Sequence, residues 1–144
     1  MYISTDDAQD LTRWNSDLVQ FAKVTDPSSD SCIALLGFPH RWYVGSKSGC
    51  SCTFRHLCSP SEEDWFSEPE DWYPEEPDAL EATRELYRIL RAIVSSGHQV
   101  DLIDRWLDTS PKDIVTADVS LGALTEGAFR LIEDHRLVFG QGGP

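Results

Sequence analysis

Along the first part of the chain, apolar residues recur at helical spacing. Leu11, Trp14, Leu18 and Phe21 would share one face of a helix that starts after Ser4 or Thr5, carries Asp6 and Asp7 at its positive end and stops near Lys23, ahead of Asp26-Pro27. The pattern then changes. Cys32-Ile33-Ala34-Leu35-Leu36-Gly37-Phe38 is a short apolar run between Ser/Asp and Gly/Pro residues, which predicts a buried strand. Arg41 to Ser46 and Cys50 to Leu57 read as two strands around Lys47-Ser48-Gly49, a hairpin loop with glycine at the left-handed position of a bulge. With Ser46 opposite Cys50, the same face would pair Val44 with Cys52, Trp42 with Phe54 and His40 with His56, leaving Tyr43, Ser51, Thr53 and Arg55 outside.

The clearest periodicity lies further on. Leu80, Leu86, Tyr87, Leu90, Ile93 and Val94 form the apolar stripe of a long helix over 78–96, opened by the capping box Asp78-Ala79-Leu80-Glu81 and stopped by Gly97. Val100 to Leu107 and Asp113 to Leu121 read as strands, although adjacent Leu102 and Ile103 fit a half-buried strand poorly. Thr125 would cap a short helix bearing Phe129 and Ile132, Arg136 to Gly140 would return as a last strand, and residues 141–144 would fray. The class is α+β: an antiparallel or mixed sheet of about five to six strands, including the 41–46/50–57 hairpin, packed on the long helix and two shorter ones. No linker divides the chain, so a single domain over 1–144 is expected.

Charge changes the picture more than composition does. The formal net charge is −13, which works against binding a phosphate backbone or an anionic membrane surface and favours a basic protein partner. Between Glu62 and Glu85 stand eleven acidic residues and one basic one, −10 of that total. Inside this stretch Glu63-Asp64-Trp65-Phe66 and Glu70-Asp71-Trp72-Tyr73 repeat among prolines that discourage a continuous helix, giving an acidic Pro/Trp-rich loop over 60–78. Aromatic rings beside carboxylates can recognise cations. Glu63, Asp64, Trp65, Glu70, Asp71, Trp72 and Tyr73 are therefore the candidate partner-binding residues, against the alternative that the rings fold under the loop to cover the core.

Cysteine and histidine supply the other chemistry. His40, Cys50, Cys52, His56 and Cys58 have the donor types of a zinc site, but four residues of strand hold Cys52 and His56 about 13 Å apart, and C-x-C lacks a second paired step. Free thiols are expected at all four cysteines, since two on one strand two residues apart stand near the upper Cα separation for a disulfide. The N-terminal residues lack a secretory pattern and no window is long and apolar enough for a membrane span, so a cytoplasmic protein is expected. There is no P-loop, dinucleotide fingerprint, nucleophile elbow or H-E-x-x-H, and no cofactor or catalytic residue is singled out.

The leading expectation is a non-catalytic acidic binding or inhibitory protein, of immunity, antitoxin or adaptor type. A small metal-dependent or thiol enzyme using the Cys/His hairpin is the first alternative, and a structural homo-oligomer subunit the second.

Overall fold

The computed structural model describes residues 1–57, 65–72, 74–105 and 109–140. Among these residues eight strands and one α-helix follow in chain order: β1 (Tyr2–Thr5), β2 (Val19–Lys23), β3 (His40–Ser46), β4 (His56–Leu57), α1 (Pro77–Ser95), β5 (Val100–Asp104), β6 (Val115–Ser120), β7 (Leu131–Ile132) and β8 (His135–Gly140). Six strands make one mixed sheet in the order β2-β3-β1-β5-β8-β6, and β4 and β7 form a small parallel pair. Within the large sheet only β6 and β8 run parallel. The architecture is α+β, dominated by the sheet.

Both faces of the sheet are covered. On one face Ile3, Phe21, Val44, Leu102, Leu137 and Phe139 meet Leu86, Leu90 and Ile93 of α1 in the main core. On the other, Ile103 packs with Cys32, Ile33 and Leu36, from a 3-10 turn at Ser31–Leu35 and its end, in a smaller core. The central strand β5 is buried at every position, which is why Leu102 and Ile103 can stand side by side and why the alternation test fails there.

Several sequence expectations are corrected. The helix expected before Lys23 is replaced by β1, a 3-10 turn at Leu11–Trp14 and β2. Local polar side chains break the helical path. The Asn15 carboxamide accepts from Phe21 N–H and donates to Phe21 C=O, and Ser16 Oγ accepts from the N–H groups of Leu18 and Val19. The strand expected over Cys32–Phe38 is the Ser31–Leu35 turn, which Asp30 caps by accepting from Cys32 N–H. The short helix expected at Thr125 does not form: the chain turns there and enters β7. The capping box is not used either, because α1 opens one residue earlier, with Glu76 as N-cap and Pro77 in the first turn. Gly97, at φ +89°, takes the left-handed stop.

The hairpin is corrected as well. Gly49 has φ +74° and its N–H donates to Ser46 C=O, and a Cβ on Gly45 would stand 2.5 Å from the Gly49 carbonyl oxygen. The turn therefore closes as its glycines require, yet β3 lies between β1 and β2 and has no free edge for 50–57. Trp42 stands opposite Ile3 and Lys23, Val44 opposite Phe21, and His40 opposite Thr5. His56 lies on β4 opposite Leu131, so His40 and His56 are not cross-strand neighbours. Arg55, expected outside, is buried.

Candidate functional site

Met1, Tyr2, Tyr43, Ile103 and Asp104 lie at one end of the large sheet, where β1 begins and β3 and β5 end. There they border a cavity of about 590 Å³ that Cys50, Ser51, Cys52 and His56 also line. This volume is within the range of small-ligand pockets. Its walls are largely apolar, and its polar groups come in pairs. Asp30 accepts from Arg105 at 2.8 Å, and Asp104 Oδ2 stands 2.7 Å from His56 Nδ1.

The two sulfurs of Cys50 and Cys52 are joined as a disulfide on this wall. This corrects the expectation of free thiols, and the reason is local backbone geometry. Regular strand would hold the two Cα atoms near the limit for a bridge, but Ser51–Thr53 is a 3-10 turn and the Cα atoms are 5.3 Å apart. Both cysteines are exposed. Cys50 Sγ also accepts a hydrogen bond from Cys52 N–H at 3.2 Å. Cys32 is a buried free thiol in the smaller core.

His56 is tied to this turn. Its Nε2 stands 2.7 Å from Ser51 C=O, the carbonyl between the two cysteines, while Nδ1 faces the Asp104 carboxylate. A carbonyl and an ionised carboxylate can only accept, so this arrangement favours the cationic imidazole, in which both ring nitrogens donate. Burial opposes that charge. The hydrogen bond and charge of Asp104, the Ser51 carbonyl and the charge of Glu133 outweigh it, and the His56 pKa rises above its ordinary 6.5. A raised pKa stabilises the fold fully below 6.5, and the contribution disappears as pH climbs through the higher folded value. Asp30 shows the opposite balance: burial raises its pKa, but bonds from Cys32 N–H, Arg105 and Tyr2 bring it below the usual carboxylate value.

The weak metal candidates are thus separated. Cys50, Cys52 and His56 share the cavity, whereas His40 stands at the Thr5 end of the β1/β3 pair and Tyr43, which reaches the cavity, at the other. Cys58 lies outside the described residues. Among the described residues no three His, Cys, Asp or Glu side chains come together as a metal would need.

The acidic segment is divided between fold and surface. Trp65 is buried, its ring edge-on to His135 with centroids 4.8 Å apart. Glu75 pairs with buried Arg55, Glu68 accepts from the Thr125 hydroxyl, Glu85 accepts from Ser16, and Asp78 faces Lys47. Glu70, Asp71 and Trp72 are exposed, Trp72 to 78%. Glu63, Asp64 and Tyr73 lie outside the described residues.

Sequence reasoning missed Asp104, Asp30, Arg105 and Tyr2. Asp104 is 48 residues from His56, and no local spacing marks such a partner. Comparison with protein-family models, with curated proteins and with solved structures gives no match for this chain. Among the described residues no helix is long and apolar enough to cross a membrane.

Proposed function

We propose that the chain carries out thiol–disulfide exchange at Cys50 and Cys52 with a dithiol partner that reaches the cavity. The observation that carries this reading is the exposed Cys50–Cys52 disulfide on the cavity wall that also holds the cationic His56. A thiolate of the partner attacks Cys52 Sγ. The Cys50–Cys52 bond breaks and its electron pair stays on Cys50 Sγ, where Cys52 N–H already donates. A second partner thiolate then attacks the partner sulfur of the mixed disulfide and expels Cys52. The partner loses two electrons and becomes a disulfide, and its two thiol protons end on Cys50 and Cys52.

The alternative use of this bond, as a structural staple, has little to recommend it. Closing a loop of only three residues restricts the unfolded chain by roughly 1.6 kcal/mol, against about 3 for a loop of fifteen. We read the protein as cytoplasmic, where disulfides are ordinarily transient and catalytic or sensing. In a glutathione redox buffer, alkylation and peptide mapping should find Cys50 and Cys52 passing together between dithiol and disulfide at a defined potential. Cys50→Ser and Cys52→Ser should each abolish turnover of a dithiol peptide. A pair that stays reduced at every poise overturns the proposal.

A second reading is favoured by the exposure of Trp72 beside Glu70 and Asp71: this surface engages a basic protein partner. Such a partner should be retained at about 0.1 M salt and released toward 1 M, where the screening length falls from about 10 Å to about 3 Å. Glu70→Gln, Asp71→Asn and Trp72→Ala together should lower its capture at least about tenfold, since one aromatic anchor alone is worth about 2 kcal/mol. Capture that ignores both salt and the triple variant sinks this reading.

A further inference from the structure

Resting on the exchange reading, we infer that the thiol substrate is a cysteine-containing peptide segment with an aromatic or large aliphatic residue beside the cysteine and no net negative charge, rather than a small anionic thiol such as glutathione.

The walls around the disulfide argue for this. Tyr2 and Tyr43 meet edge to face, ring centroids 5.7 Å apart, and form an aromatic corner of the cavity that Ile103 and Phe54 extend. Tyr43 is fixed there because its hydroxyl donates to Gly49 C=O at 2.8 Å in the turn that leads into Cys50. An apolar side chain placed next to the attacking sulfur would bury against these rings. A planar ring would gain most, since aromatic pairs add to the area they bury.

The charged groups leave little for an anionic thiol. Arg105 is held by Asp30 and by Thr109 C=O, and His56 by Asp104 and Ser51 C=O. Neither side-chain cation can grip the carboxylates of glutathione without giving up its own acid, half-buried Asp30 or buried Asp104, which is costly for the buried one. On the lining Asp30, Asp104 and Glu133 face Arg105, His56 and the N-terminal ammonium of Met1, whose charge burial opposes, and the chain as a whole carries −13. The net charge of the chain repels an anion on approach.

The test uses the full chain in its oxidised form and three reductants: a dithiol peptide with phenylalanine beside each cysteine, the same peptide with glutamate there, and reduced glutathione. Second-order rates of Cys50–Cys52 reduction are followed by alkylation and mass analysis, and corrected for each reagent's thiolate fraction, because reactivity otherwise follows thiol pKa. The phenylalanine peptide should react at least about tenfold faster than the other two, the effect of roughly 1.4 kcal/mol of apolar contact. At high salt the glutamate peptide should gain on it, while a difference due to apolar burial persists. In Tyr2→Ala the ratio of phenylalanine to glutamate rates should fall. Equal corrected rates for all three reagents in the unmodified protein would overturn the substrate assignment and leave exchange standing. A disulfide that none of them reduces would overturn both.

Discussion

Replacing Arg55 by alanine is expected to cost about 3 to 5 kcal/mol of folding stability, the penalty for removing one partner of a buried ion pair. Arg55 holds three parts of the chain together. Its Nε and Nη2 donate to the two oxygens of Glu75 at 2.5 and 2.7 Å, its Nη1 to the carbonyls of Gly127 and Phe129, and Nη2 also to Ser67 C=O. Its own N–H donates to the Thr83 hydroxyl on α1. Alanine would take this donor from the buried carbonyls of Gly127 and Phe129 and from half-buried Glu75. Lysine would restore the charge but not the planar fork, so Arg55→Lys should recover only part of the loss.

The same pair sets an acid limb. The hydrogen bond from Arg55 lowers the Glu75 pKa below its ordinary 4.5, more than burial raises it. A lowered carboxylate pKa contributes stability that is complete above 4.5 and is lost as pH falls through the folded value. The unmodified protein should therefore lose stability below about pH 4.5 more steeply than Arg55→Ala. Urea unfolding of both proteins at neutral pH and in acid measures this. A neutral-pH loss within about 0.5 kcal/mol, or parallel acid limbs, would show that the clamp does not form.

Legibility in the sequence followed the range of the interaction. Gly49 and Gly97 were readable because each answers a local backbone demand for positive φ, and both have it. The partner of β3 was not readable from its turn. Pairing is settled by competition among all strands, and β1 and β2 take the two edges that a local hairpin would have used. The first strands were misread because Leu11, Trp14, Leu18 and Phe21 fit a helical period by coincidence. The polar groups between them, Asn15 and Ser16, decide the matter through hydrogen bonds that periodicity does not weigh.

The candidate site divides along the same line. Cys50, Cys52 and His56 lie within seven residues, but the sequence reading held them apart. The misjudged quantity was their separation, because strand geometry was assumed where a 3-10 turn shortens the path. Asp104 and the aromatic corner of Tyr2 and Tyr43 come from β5, β1 and β3 and meet the turn only through the sheet. In the acidic segment, charge counts treated every carboxylate as surface. The fold ties half-buried Glu75 and Glu85 to Arg55 and Ser16 and exposed Glu68 to Thr125, and leaves Glu70 and Asp71 outside with Trp72.

Leu90→Ala should destabilise the protein by about 2 to 5 kcal/mol, the range for truncating a buried leucine whose surroundings relax only in part. Ala82, Leu86, Leu90 and Ile93 fall three or four residues apart on the buried face of α1, and this face packs against β2, β5 and β8. Leu90 has no exposed surface, so its loss removes contacts to helix and sheet together. Arg91, one residue on, is exposed, and Arg91→Ala should stay within about 0.5 kcal/mol. The contrast between neighbours separates packing from helix propensity, because alanine is the better helix former at both positions. The sheet end that carries the cavity is the far end of β5 from α1's own C-terminus, so Leu90→Ala should lower the unfolding midpoint while Cys50 and Cys52 still form their disulfide in the folded fraction. A Leu90→Ala loss below about 1 kcal/mol would mean that this face of α1 is not core, and the layer order of helix on sheet would have to be given up.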